Sequence, residues 1–157
     1  MNRKLSPDNL GELALKVAGF QLWIHGRESP EANDSGDGNW LRVTAHCGAS
    51  GASIWVEGSI VEVNDIASFG NQCASLLRGD SSSAVLDPFE VELKVSLEAG
   101  DRVGHIHAQV EITPNHLEQY HKMQFEIDQS YLARIIGQCS AIVQEYPIRG
   151  DRNREGV

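Results

Sequence analysis

Two alternating runs facing each other across a short turn constrain this chain more than any other feature. Phe89, Val91, Leu93, Val95 and Leu97 alternate with polar neighbours, and Ala99-Gly100-Asp101-Arg102 supplies a tight turn. Ile106, Ala108, Val110 and Ile112 then alternate again over residues 103–113. Strand side chains point to opposite faces with a period of two, so each run buries one face and wets the other. Joined by a glycine-bearing turn, the two runs read as an antiparallel hairpin.

The same period recurs on both sides. Leu13, Leu15 and Val17 hold one parity, and Phe20, Leu22 and Ile24 the other. A glycine at the switch, in Ala18-Gly19, predicts one long strand bent by a β-bulge. Leu41, Val43, Ala45 and Cys47 define a strand over 39–47, and Gly48-Ala49-Ser50-Gly51 turns the chain into another at 52–57. Ala84-Val85-Leu86 begins a further group, and Met123, Phe125 and Ile127 end it.

The period changes twice. Ile66, Phe69, Cys73, Leu76 and Leu77 recur at helical offsets, with Asn64 or Asp65 available as cap and Gly79 as left-handed stop. Gly70 inside this helix costs about 1 kcal/mol against Ala unless it permits close packing. Tyr131, Leu132, Ile135, Ile136, Cys139, Ile142 and Val143 form a second stripe, opened by Asp128 and closed by Pro147. Strand runs interrupted by single helices imply an α+β fold: a largely antiparallel sheet of about six to seven strands with two helices packed on one face. At 157 residues the chain is expected to be a single domain over 1–157, with an ordered core at 13–148 and flexible ends at 1–12 and 149–157.

Composition narrows the functional classes. The net charge is −9, which argues against nucleic acid or anionic membrane as partner, since both attract a basic surface. No apolar run approaches the roughly 20 residues of a membrane span, and no apolar segment follows Arg3 and Lys4 to make a secretory signal. Cys47, Cys73 and Cys139 are odd in number and widely spaced, as buried thiols in a reducing compartment are, and the cytoplasm is the expected location. Seven acids (Glu28, Glu31, Asp34, Asp37, Glu57, Glu62, Asp65) against Arg42 alone make residues 28–65 the most acidic part of the chain.

Residues 31–43 look most like a site. As a calcium loop beginning at Asn33 they offer Ser35, Asp37 and Gly38, but Thr44 stands where a bidentate Glu is needed. A phosphate cradle fails too, because the glycines lead into a strand and the acids would repel the ligand. The stretch reads as a polar connection that delivers Asn39-Trp40-Leu41 into the sheet. His105 and His107 project from one strand face about 7 Å apart, and with His25 or His46 on neighbouring strands would make a three-ligand metal site. His116 and His121 bracket a loop without an acidic partner at useful spacing. The pairs Glu90/Glu92 and Glu126/Asp128 each share a sheet face, and no nucleophile or phosphate-loop motif is present. No residue set asks for a cofactor, and an enzyme is not expected.

The element order, with Gly19-Phe20, Asn39-Trp40-Leu41, Asp87-Pro88, Phe125-Glu126-Ile127-Asp128 and Tyr146-Pro147, resembles the WapI-like immunity proteins over residues 14–149. Leu76-Leu77 stands where that family often has Trp-Leu. These are small bacterial antidotes that bind and block the C-terminal toxin domain of a wall-associated, contact-dependent toxin. The resemblance implies an immunity-type binding protein acting by stoichiometric occlusion of a toxin domain. On that reading Glu28, Glu31, Asp34, Asp37, Glu57, Glu62 and Asp65 form the partner surface, with Trp40 and Trp55 as anchors. Trp40 shares its parity with Arg42 and Thr44, so it either covers something or binds something. Two other classes stay open: a metal-dependent enzyme or metal-binding protein centred on His105 and His107, and a structural domain that pairs with its own copy as a homodimer.

Overall fold

The computed structural model describes residues 6–150; of the expected flexible ends at 1–12 and 149–157, residues 1–5 and 151–157 lie outside the described residues. A 3-10 turn at Pro7–Asn9 precedes β1 (Leu15–Val17), β2 (Phe20–Arg27), β3 (Trp40–Ala49), β4 (Ala52–Glu62) and α1 (Val63–Arg78). Then come β5 (Ser83–Leu86), β6 (Leu93–Ala99), β7 (His105–Ile112), β8 (Lys122–Asp128) and α2 (Tyr131–Glu145). The fold is α+β, with the eight strands divided into two four-stranded antiparallel sheets in the orders β1-β2-β3-β4 and β5-β6-β7-β8. One sheet was expected. It divides because β4 runs directly into α1, and the strand after that helix pairs only with β6. The two helices pack on each other, α1 also lies along β5, and α2 reaches β1. One continuous core draws on both sheets and both helices. No described helix is long and apolar enough to cross a membrane.

The parity switch at Ala18-Gly19 is a hairpin and not a bulge. Val17 pairs with Phe20 and Leu15 with Leu22, so the two-residue turn itself puts residues three apart on one face. Gly19 is required there, since a β-carbon would stand 2.3 Å from the Gly48 carbonyl oxygen and 2.8 Å from the Phe125 ring.

The long alternating run of the opening hairpin is also shorter than expected. Pairing with β7 starts at Leu93, opposite Ile112, and Phe89 and Val91 are 85% and 62% exposed. The partner strand stops just before Pro114, which has no N–H to donate, so backbone pairing ends with the Thr113 N–H on the Glu92 carbonyl and residues 87–91 lie outside the sheet. At the other end β7 begins at His105 and not at 103, and Val103 is fully exposed in the turn.

The helices keep their stripes except at the edges, where Leu77 and Tyr131 are exposed. The cap of α1 is displaced from the expected Asn64 or Asp65. Glu62 takes the cap position, and the Asp65 carboxylate accepts its backbone N–H at 2.8 Å. Gly79 makes the left-handed stop at φ 80°. Asp128 does not cap α2 directly; it accepts the Ser130 N–H at 2.9 Å and α2 starts at Tyr131.

Candidate partner-binding surface

The acidic connection between β2 and β3 is built around its own turn residues. The Asp34 carboxylate accepts the N–H groups of Gly36 and Asp37 at 3.1 and 3.0 Å, which holds it below the usual carboxylate range. Gly38 donates to the Asp34 carbonyl, and a β-carbon on it would stand 2.6 Å from the Ala32 and Asp34 oxygens. The density of Asp, Asn and Gly that resembled an ion site is the chemistry of a tight self-bonded turn.

Two arginines hold this loop by its carbonyls. Arg27, almost fully buried at the end of β2, donates to Gly38 O at 2.6 Å and to Pro147 O at 2.5 Å, and its guanidinium lies 5.8 Å from the Tyr146 ring centre. Burial and then Arg149 lower its affinity for the proton. Arg149 donates from Nη1 to Pro30 O at 2.6 Å and to Ala32 O at 2.8 Å. The buried Asn39 side chain accepts the Arg149 N–H at 2.8 Å and donates to its carbonyl at 3.0 Å. The cations are spent on backbone oxygens, and Glu28, Glu31, Asp34 and Asp37 all stay exposed. Glu28 also accepts the Ser59 hydroxyl at 2.5 Å, which ties the loop to β4.

The other acids lie on different elements. Glu57 is exposed on β4, opposite Thr44. Glu62 and Asp65 are half-buried where α1 begins. Burial and then Asp65 push the Glu62 carboxyl up; burial and then Asp87 push Asp65 up, against the pull of the Glu62 N–H. Trp40, half-buried, lies opposite Glu62. Trp55 lies opposite His46, six residues further along β3, which is roughly 20 Å away. The Trp55 ring stacks on Trp23 at 5.9 Å and lies tilted against His46 at 4.2 Å. The sequence reading missed Trp23, whose parity with Gln21 places it on this outer face beside Thr44.

The histidines do not converge. His105 and His107 are exposed on β7, with His107 Nδ1 3.7 Å from Glu126 Oε1. His25 and His46, expected on neighbouring strands, belong to the other sheet. His25 bonds the Thr44 hydroxyl at 2.7 Å, and His46 bonds Gln21 at 3.0 Å and Ser53 at 2.7 Å. Among the described residues no three His, Cys, Asp or Glu side chains are grouped to hold a metal ion. Burial pushes the Cys47 thiol up to about 11 and those of Cys73 and Cys139 to about 12.

A second surface was not expected from the sequence, although it includes Asp87-Pro88 and Glu90. The loops 87–92 and 113–121 flank a cleft of about 370 Å³ lined in part by Phe89, Val91 and Tyr120. The Tyr120 hydroxyl donates to Glu111 at 2.8 Å, and the Thr113 N–H donates to the Glu92 carbonyl at 2.9 Å, fastening the two loops together.

A family model described as the immunity protein WapI-like family matches residues 14–147. No curated protein sequence matches the chain. Among solved structures, the chain is similar to one in the crystal structures of Trypanosoma bruciei MRP1/MRP2, with TM-score 0.44 and 8% identity over 82% of this chain and 76% of that one. It is similar also to the plant transcriptional regulator PBF-2, with TM-score 0.46 and 10% identity over 81% of this chain and 75% of that one.

Proposed function

The chain belongs to the WapI-like immunity protein family, and from that premise we propose that it neutralises a polymorphic toxin domain by stoichiometric protein–protein occlusion, drawn to it by an acidic surface. The observation that carries the reading is the clamped loop. Arg27 and Arg149 fix its backbone while Glu28, Glu31, Asp34 and Asp37 stay exposed, so negative charge is presented in a preformed arrangement. Glu57, Glu62 and Asp65 extend the charge along β4 to the start of α1, with Trp40 beside it. With a net charge of −9, the protein attracts a basic face from beyond contact distance. Steering of this kind can raise association rates by factors of roughly 10 to 1,000 at low salt.

The toxin domain is expected to be encoded next to this chain, as the C-terminal domain of a secreted protein, and the test is titration against it. The reading expects one-to-one binding, loss of the domain's activity in proportion to occupancy, and an association rate that falls steeply with salt. Failure to bind would overturn the immunity reading. Binding with equal affinity at low and high salt would overturn the acidic steering alone.

A further inference from the structure

We propose that the cleft between the 87–92 and 113–121 loops is where the partner docks, with Phe89, Val91 and Tyr120 as the apolar anchors for a basic protein face. The proposal rests on the immunity reading and adds the contact surface that charge alone does not supply. Phe89, Val91 and Tyr120 are 85%, 62% and 66% exposed, and all three line the cleft. Single exposed apolar residues are ordinary, but a cluster around a concavity marks a binding surface. Aromatic rings are also the side chains that most often dominate binding energy.

The rim selects the partner. Asp87, Glu90 and Glu111 line the cleft against Lys94 as the single Lys or Arg in its lining, so its charge is net acidic. A second copy would bring these carboxylates against their equivalents, and nucleic acid or an anionic bilayer would be repelled in the same way. A protein face with an apolar projection ringed by Lys and Arg fits. Asp87, on the rim of the cleft, also faces Asp65 at the start of α1 closely enough to help raise its carboxyl, after burial. The bond from Thr113 to Glu92 holds the two loops together, which lowers the ordering cost of docking.

The test measures binding of the neighbouring toxin domain to four full-length chains: wild type, Phe89→Ser, Val91→Ser and the loop double variant Glu31→Gln/Asp37→Asn. The serine variants alter exposed side chains, and their thermal melts check that the fold is kept. Phe89→Ser and Val91→Ser are each expected to weaken binding about tenfold or more through faster dissociation. The loop double variant is expected to slow association with little change in dissociation. Wild-type dissociation in both serine variants would overturn the docking site and leave the immunity reading standing. No binding by the wild type would remove both. Concentration-dependent dimerisation abolished by Phe89→Ser would assign the cleft to a second copy and overturn the proposal as well.

Discussion

Gly70 of α1 lies so close to Cys139 of α2 that a β-carbon on the glycine would stand 2.8 Å from the cysteine's own. The two helices therefore meet backbone against side chain, and α1 accepts a helix-interior glycine as the condition of that approach. Gly70→Ala gains roughly 1 kcal/mol of helix propensity but forces the helices apart, and overpacking of this kind costs about 1–3 kcal/mol. Since the Cys139 β-carbon is fixed to its backbone, the overpacking is expected to win. Gly137 provides the contrast: it is interior to α2 and exposed, and nothing lies within 4 Å of an added β-carbon. Gly137→Ala is expected to raise the melting temperature while Gly70→Ala lowers it. Chemical denaturation of the two variants side by side checks the sign, and a stabilised Gly70→Ala would show that the helices have slack.

Alternation in the sequence reports which face of a strand is buried, and there it was sufficient: Leu41, Val43, Ala45 and Cys47 are all at most 1% exposed. It does not report what a strand pairs with. At Ala18-Gly19 a bulge and a two-residue hairpin shift parity identically, and only the pairing of Val17 with Phe20 distinguishes them. Phe89 and Val91 keep the strand pattern, but the reason they lie outside the sheet is Pro114, on another element. The acids of the β2–β3 loop were legible as charge. Their fixation by Arg149, more than a hundred residues away, was not, because no local pattern encodes a side chain reaching a distant carbonyl. The cleft at Phe89 and Tyr120 is a product of the same long-range folding.

Acid is expected to loosen the outer face of the first sheet through His46. Burial holds this imidazole below its ordinary value of 6.5, so the folded protein takes up its proton less readily than the unfolded chain. The stability from this group is fully present above 6.5 and is lost as pH falls from there through the lower folded value. Its ring lies 4.2 Å from Trp55, so protonation is expected to quench that indole. Tryptophan emission is expected to fall with a midpoint below 6.5, a transition that His46→Asn and Trp55→Phe each remove. A midpoint at or above 6.5 would contradict burial as the controlling effect.

The clamp on the acidic loop yields the most direct link from packing to binding. Asn39 is fully buried, and its side chain makes both bonds to the Arg149 backbone, so Asn39→Ala releases the backbone at Arg149 while leaving the net charge at −9. Arg149→Ala instead removes the two donors to Pro30 and Ala32. Asn39→Ala is expected to cost about 1–3 kcal/mol, since buried polar groups lose their partners, and Arg149→Ala less, since the Pro30 carbonyl it frees is exposed to water. Amide exchange at Gly36, Asp37 and Gly38 is expected to accelerate well beyond what the loss of global stability explains. Association of Asn39→Ala with a basic partner is expected to keep its salt dependence, because steering depends on charge and only weakly on loop order. Exchange rates at these amides equal to wild type in both variants would show that the turn bonds of Asp34 suffice and that the arginines hold nothing the loop needs.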